Sequence, residues 1–143
     1  MLALISPDRY YRNSFEEAIA EFEALNGEGD GGLTPDKLVD SADFIQFLKN
    51  LNNDAVLNAR HQYWWCDTSE QVYIARVTLT LRDEWDQLEI FIRPGRRGQG
   101  HFTRIMAATL PVVEGLGADV SRLDILVPDD DRASQEELAR WSR

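Results

Sequence analysis

Residues 88–103 read Leu-Glu-Ile-Phe-Ile-Arg-Pro-Gly-Arg-Arg-Gly-Gln-Gly-His-Phe-Thr. Leu88–Ile92 is rich in β-branched and aromatic residues, as a strand is. Arg93 to Gly100 holds a proline, three glycines and three arginines, and the apolar positions Phe102, Ile105, Met106, Thr109, Val112 and Val113 then recur at helical spacing. A strand that passes through glycines into a helix aims free backbone N–H groups and the positive end of the helix dipole at one spot. Anions, phosphates above all, are the usual occupants of such a spot. From Ile90 to Val113 there are four arginines, Arg93, Arg96, Arg97 and Arg104, and no acid. In a chain with 15 basic and 25 acidic residues and a net charge of −10, that local excess points to a bound anion, with Arg96 and Arg97 as its side-chain contacts.

Around this turn the pattern continues in both directions. Leu2–Ile5 reads as an opening strand. Phe15, Ala18, Ile19, Phe22 and Leu25 mark one face of a helix with Asn13 or Ser14 as N-cap and Asn26-Gly27 as its stop. A glycine-rich loop over 27–32 leads to a second helix opened by Thr34-Pro35, with Leu38, Phe44, Leu48 and Leu51 on its buried face. Gln62–Asp67, Val72–Leu81 and Gln87–Arg93 read as consecutive antiparallel strands joined by short turns at 68–70 and 82–84. The helix of 98–116 contains Pro111, which implies a kink or a restart. Leu123–Val127 is a further strand, and Ser134–Trp141 a last helix. The expectation is a mixed α/β (α+β) fold, a central antiparallel meander followed by a crossover into one more strand.

Composition excludes several classes. The 143 residues fit one domain, and 43% hydrophobic residues with 4 Trp, 4 Tyr and 6 Phe exclude whole-chain disorder. One cysteine, Cys66, excludes a disulfide scaffold. No apolar run has the ~18 residues of a membrane span and none resembles a signal peptide, so no membrane partner and a cytoplasmic location are expected. The negative charge disfavours nucleic acid and favours cationic small molecules. Asp129-Asp130-Asp131 lacks the spaced ligands of a metal site, and no metal is expected.

Of two phosphate-binding templates, one fails on the turn and the other matches it weakly. Gly95 to Gly100 has Walker spacing, but His101 and Phe102 stand where Lys and a hydroxyl residue belong. Gly98-x-Gly100 is followed by Thr103, not the third glycine of a dinucleotide fingerprint. A third fits. Ile92-Arg93-Pro94 followed by Arg97-Gly98-Gln99-Gly100-His101-Phe102 resembles the acyl-CoA-binding motif of the GNAT superfamily of N-acyltransferases. The element order is similar to that family along nearly the whole chain. The resemblance implies a single GNAT-like domain over 1–143, with the family's closing strands missing and a homodimer as one way to complete the sheet.

It also implies roles. Acetyl-CoA or another acyl-CoA would lie on the turn, its pyrophosphate held at Arg97, Gly98, Gln99, Gly100, Phe102 and Thr103, with His101 beside it. Its pantetheine would pair with the main chain of Phe91, Ile92 and Arg93, and the family's frame in the last helix falls on Asp131 and Ser134. Glu89 is the candidate general base, although a neighbouring arginine would satisfy it equally well. The implied reaction is direct acyl transfer to a primary amine, on a small molecule or a protein. A member that binds CoA or a partner protein without turnover is the alternative. The chain departs from the family at Phe102, usually Gly or Ala, and at Leu138, where a tyrosine usually donates to the CoA sulfur. Tyr63 and Tyr73 are the aromatic residues weighed as substitutes.

Overall fold

Leu88, Ile90 and Ile92 are buried while Gln87, Glu89 and Phe91 are half-buried, so this strand has two differently solvated faces and helices must cover both. The computed structural model describes residues 1–27, 41–82 and 86–141. In chain order the elements are β1 (Leu2–Ile5), α1 (Arg12–Asn26), α2 (Ser41–Asn58), β2 (Arg60–Asp67), β3 (Val72–Thr80), β4 (Asp86–Ile92), α3 (His101–Gly115), β5 (Leu123–Leu126) and α4 (Arg132–Arg140). The strands form one sheet in the order β1-β2-β3-β4-β5. The first three junctions are antiparallel and β4–β5 is parallel. A parallel neighbour requires a crossover, which α3 supplies. The mixed α/β expectation therefore holds.

One face of the sheet carries Ala75, Val77, Leu79, Leu88, Ile90 and Ile92 against Phe102, Ile105, Met106 and Val113 of α3. The other face meets α1 and α2 through Phe15, Ala18, Ile19, Phe44, Trp64 and Tyr73. Phe15 stacks on Trp64 with ring centroids 4.8 Å apart, and Tyr73 stands edge-on to both rings at 5.1 Å. Such pairs add about 0.5–1.5 kcal/mol each beyond their buried area.

Several local expectations change. α1 starts at Arg12 with no side-chain cap, and Ser14 accepts the Tyr73 N–H instead (2.8 Å). Leu25 is exposed. α3 begins at His101 rather than Gly98, because Gly98 and Gly100 hold φ of 78° and 79°. It runs unbroken through Pro111. The last helix begins two residues earlier than expected, capped by Asp131. The loop after Gly27, the Thr34-Pro35 helix start, Leu38 and the turn at Asp83-Glu84 lie outside the described residues.

Arg93 fastens α1 to the end of β4. Its guanidinium is buried and forks onto Glu21, Nε to Oε1 at 3.1 Å and Nη2 to Oε2 at 2.6 Å. Nη1 reaches Ser14 Oγ (3.2 Å) and the Tyr73 carbonyl (3.0 Å). Glu21 also accepts the Gly95 N–H at 2.9 Å. Glycine favours that approach, since a Cβ at 95 would sit 3.0 Å from Glu21 Oε1 and the carboxylate would have to give by a few tenths of an ångström. Burial raises the Glu21 pKa, but the bonds from Arg93 and Gly95 and the charges of Arg93 and Arg96 outweigh it and hold the carboxyl below its ordinary value.

Removing one partner of a buried pair strands the other. Glu21→Gln should cost roughly 2 kcal/mol in urea unfolding, less than the full buried-pair figure because Glu21 is partly solvated. Because the folded pKa is depressed, the contribution is intact above the ordinary value of 4.5 and is lost as pH falls through the folded pKa. An unchanged unfolding midpoint in the variant would contradict this clamp.

Candidate functional site

Between β4 and α3 the chain makes a short 3-10 turn, Pro94–Arg96, closed by the amides of Arg96 and Arg97 on the carbonyls of Arg93 and Pro94. Arg97 is extended and Gly98 has φ 78°, the sequence of φ angles of a type II turn, which only glycine enters cheaply. Gly100 precedes α3 without a side-chain cap. The first-turn amides of His101, Phe102 and Thr103 thus stay uncapped at the positive end of the helix.

The β4 backbone supplies the second half of the site. Arg93 N–H donates to the Ile74 carbonyl at 2.8 Å, which makes Ala75–Ile92 a non-hydrogen-bonded pair in the β3–β4 ladder. Phe91 and Arg93 consequently direct their main-chain groups to β3. Ile90 and Ile92 direct theirs the other way, toward β5. Pairing with β5 runs from Asp86–Leu123 to Glu89–Leu126 and stops. The next rung would carry an amide at position 128 to the Ile90 carbonyl, and Pro128 has no N–H. The two strands part there. Of the three residues expected to offer main chain to a ligand, only Ile92 faces the opening. Ile90 faces it too and was not anticipated.

Arg97 does not point to solvent. Its Nε donates to the Ile92 carbonyl at 3.0 Å and lies 3.6 Å from Asp131 Oδ2, while Nη1 donates to Asp130 Oδ1 at 3.2 Å. The guanidinium carbon sits 5.5 Å from the centre of the Phe22 ring. The acids that meet Arg97 come from the turn after β5, 33 residues away in the chain, where the local reading had found none. Asp131 is fully buried and caps α4, accepting the Ser134 N–H (3.1 Å) and hydroxyl (2.6 Å). Arg96 is half-buried and Arg104 exposed. Among the described residues neither takes part in an ion pair, although the charge of Arg96 bears on the Glu21 carboxyl.

The remaining predicted residues separate by face. Phe102 is buried in the core under α3 and does not crowd the turn. Gln99 is exposed, and Thr103 donates to Glu137 of α4 at 2.8 Å. His101 is turned inward, its Nδ1 accepting the Trp65 indole N–H at 3.1 Å. An indole only donates, so the ring proton is on Nε2. Burial lowers the His101 pKa, helped by Arg104 and Arg96 against a smaller opposing effect of Glu137. Glu89 has both oxygens engaged, by Gln87 Nε2 at 3.0 Å and Arg76 Nη1 at 3.1 Å. Arg76 is buried, also donates to Thr78 Oγ1, and lies 4.4 Å from the Phe91 ring centre. Tyr73 is enclosed between Phe15 and Trp64, and Leu138 packs on the α3 core. Burial pushes the Cys66 thiol up to about 12, so it is inert as a nucleophile. A separate cleft of about 150 Å³ between Pro7, Leu51 and Tyr63 lies at the other end of β2, lined also by Ser6, Asn52, His61 and Gln62.

The chain matches no family model and no curated protein sequence. Solved structures do match. Glucosamine-6-phosphate N-acetyltransferase from Arabidopsis thaliana superimposes with a TM-score of 0.61 at 8% identity, covering 100% of this chain and 92% of that one. RimJ from Mycobacterium smegmatis, in complex with CoA-disulfide, gives 0.67 at 12% identity over 96% of this chain and 68% of that one. RimL, a ribosomal L7/L12 alpha-N-protein acetyltransferase in complex with coenzyme A, gives 0.66 at 11% identity over 97% and 77%. The chain has the GNAT fold.

The burial of His101, where it accepts the Trp65 indole N–H, sets a pH dependence. The unfolded chain takes up a proton near the ordinary histidine value of 6.5 before the folded chain does. This contribution to stability is therefore complete above pH 6.5 and is lost as pH falls through the folded pKa. NMR titration should show His101 with a midpoint under 6.5 and the Trp65 indole proton shifting at the same midpoint. An indole signal indifferent to that titration would contradict the bond.

Proposed function

We propose that this chain is a single-domain N-acyltransferase of the GNAT type, which binds acetyl-CoA or another acyl-CoA and passes the acyl group directly to a primary amine. The observation that carries this reading is the coincidence, at one end of β4, of an uncapped helix N-terminus with an unpaired strand edge. An extended donor with phosphates at one end and amides along its length needs both. The amides of Gly98–Thr103, with Arg96, would hold the pyrophosphate. Ile92 would pair with the amide-bearing arm, and its N–H is the donor that a carbonyl in the opening would meet. The thioester supplies an activated acyl carbon, so no covalent enzyme intermediate is required.

The acceptor is read from charge. A surface with net charge −10 attracts cations, and Glu89, paired with Arg76, would contribute field more than proton removal. Amine acceptors of either kind, small molecules or protein termini, fit this. No helix among the described residues is long and apolar enough to cross a membrane, and a cytoplasmic location is part of the proposal, as is a homodimer built on the β5 edge. A second reading, binding without turnover, is favoured by Leu138, which packs on the core where the family's tyrosine stands.

Calorimetric titration with acetyl-CoA, CoA and 3′,5′-ADP tests the proposal. The pantetheine-bearing ligands should bind more tightly than 3′,5′-ADP, and Arg96→Glu should weaken all three about tenfold, the worth of one charge-assisted contact. No binding of acetyl-CoA, or equal affinity for CoA and 3′,5′-ADP, would overturn the reading. Acyl transfer to a panel of amines would then exclude the second reading, and binding without transfer would favour it.

A further inference from the structure

We infer that the Arg97 side chain is a latch across the opening between β4 and β5, released by a phosphate-bearing donor, so that Arg97 selects acyl-CoA against phosphate-free thioesters. This rests on the proposed acyl-CoA site and deepens it. The Ile92 carbonyl faces the opening, and Arg97 Nε holds it at 3.0 Å. Nη1 ties the same guanidinium to Asp130 at 3.2 Å on the far side, beyond the end of β5. One side chain therefore spans the gap that the extended arm of a donor would enter, and it bonds the carbonyl which that arm would use.

Two observations mark this contact as one made to be exchanged. Nη2 of Arg97 is buried and has no hydrogen-bond partner among the described residues, whereas every nitrogen of Arg93 is bonded. A buried donor without an acceptor costs free energy, so the closed position is less secure than the neighbouring arginine's. Arg97 also stands within the turn that leads to the uncapped start of α3. A phosphate arriving there offers the guanidinium the acceptors it lacks inside. Its departure would leave the Ile92 carbonyl to the donor's amide, and buried Asp131, which loses the guanidinium 3.6 Å away, would keep both of its bonds from Ser134. A donor without phosphates gives the arginine nothing to move to.

The test compares acetyl-CoA with acetyl-pantetheine on the wild type, Arg97→Met and Asp130→Asn, with near-UV circular dichroism to confirm folding. The wild type should bind acetyl-CoA and discriminate strongly against acetyl-pantetheine. Arg97→Met should bind acetyl-pantetheine about tenfold more tightly than the wild type and acetyl-CoA more weakly. Asp130→Asn, which keeps the arginine and loosens its anchor, should shift acetyl-pantetheine in the same direction by less. Wild-type binding of acetyl-CoA with acetyl-pantetheine unimproved in both variants overturns the latch alone. Failure of all three proteins to bind either ligand overturns the site reading beneath it.

Discussion

A β-ladder continues only while each carbonyl on the edge meets an N–H, and at position 128 this chain has none to give. β3 and β4 stay paired as far as Ala75 and Ile92, whereas β4 and β5 are paired only as far as Glu89 and Leu126. A proline placed two residues after β5 thus leaves the last turn of β4 with one strand neighbour instead of two. Everything distinctive about the site follows from where that gap falls. It lies beside the turn from which α3 starts, so main-chain acceptors and donors on one strand adjoin main-chain donors on one helix.

The gap would be of little use if its walls moved independently, and two arginines prevent that in different ways. Arg93 is buried and fully bonded, and it locks α1 through Glu21 and Ser14 to the ends of β3 and β4. Arg97, four residues later, bridges the gap itself. The cluster of four arginines, of which Arg96 and Arg97 were expected to meet an anion, is divided by the fold. Arg93 and Arg97 have internal carboxylates, while Arg96 and Arg104 are in no ion pair among the described residues. On the proposed function, an acidic chain would hold an anion at such a place through helix amides and the Arg96 charge, close at hand and short in range.

Local pattern was enough for the strands, since 62–67, 72–81 and 87–93 are rich in β-branched and aromatic residues, and for the turn, since Gly98 and Gly100 sit where φ is positive. The GNAT fold was anticipated by resemblance, of the turn 92–102 to the family's motif and of the element order to the family's. What local pattern does not carry is partnership across the fold. Asp130 meets Arg97 and Glu21 meets Arg93 over 33 and 72 residues of chain, and nothing in either neighbourhood announces it. Ser14 looked like a helix cap because its spacing allowed it, but the Tyr73 amide claimed it. The expected site residues fall on opposite sides for a related reason. His101 and Phe102 follow the turn in sequence, yet the helix they open points both rings into the core. Ile90 escaped notice because the direction of a main-chain carbonyl depends on ladder parity, which no side chain reveals.

The central claim is that the outward edge of β4 and the first turn of α3 form one binding surface. Amide NMR on the wild-type protein with and without acetyl-CoA tests it most directly. The account predicts that the Ile92 amide shifts and slows in hydrogen exchange together with Gly98, Gly100, Phe102 and Thr103, while Phe91 and Arg93, already bonded to β3, keep their exchange rates. Changes that instead gather in the cleft near Pro7 and Tyr63, or that reach the α3 amides and leave Ile92 untouched, would contradict it.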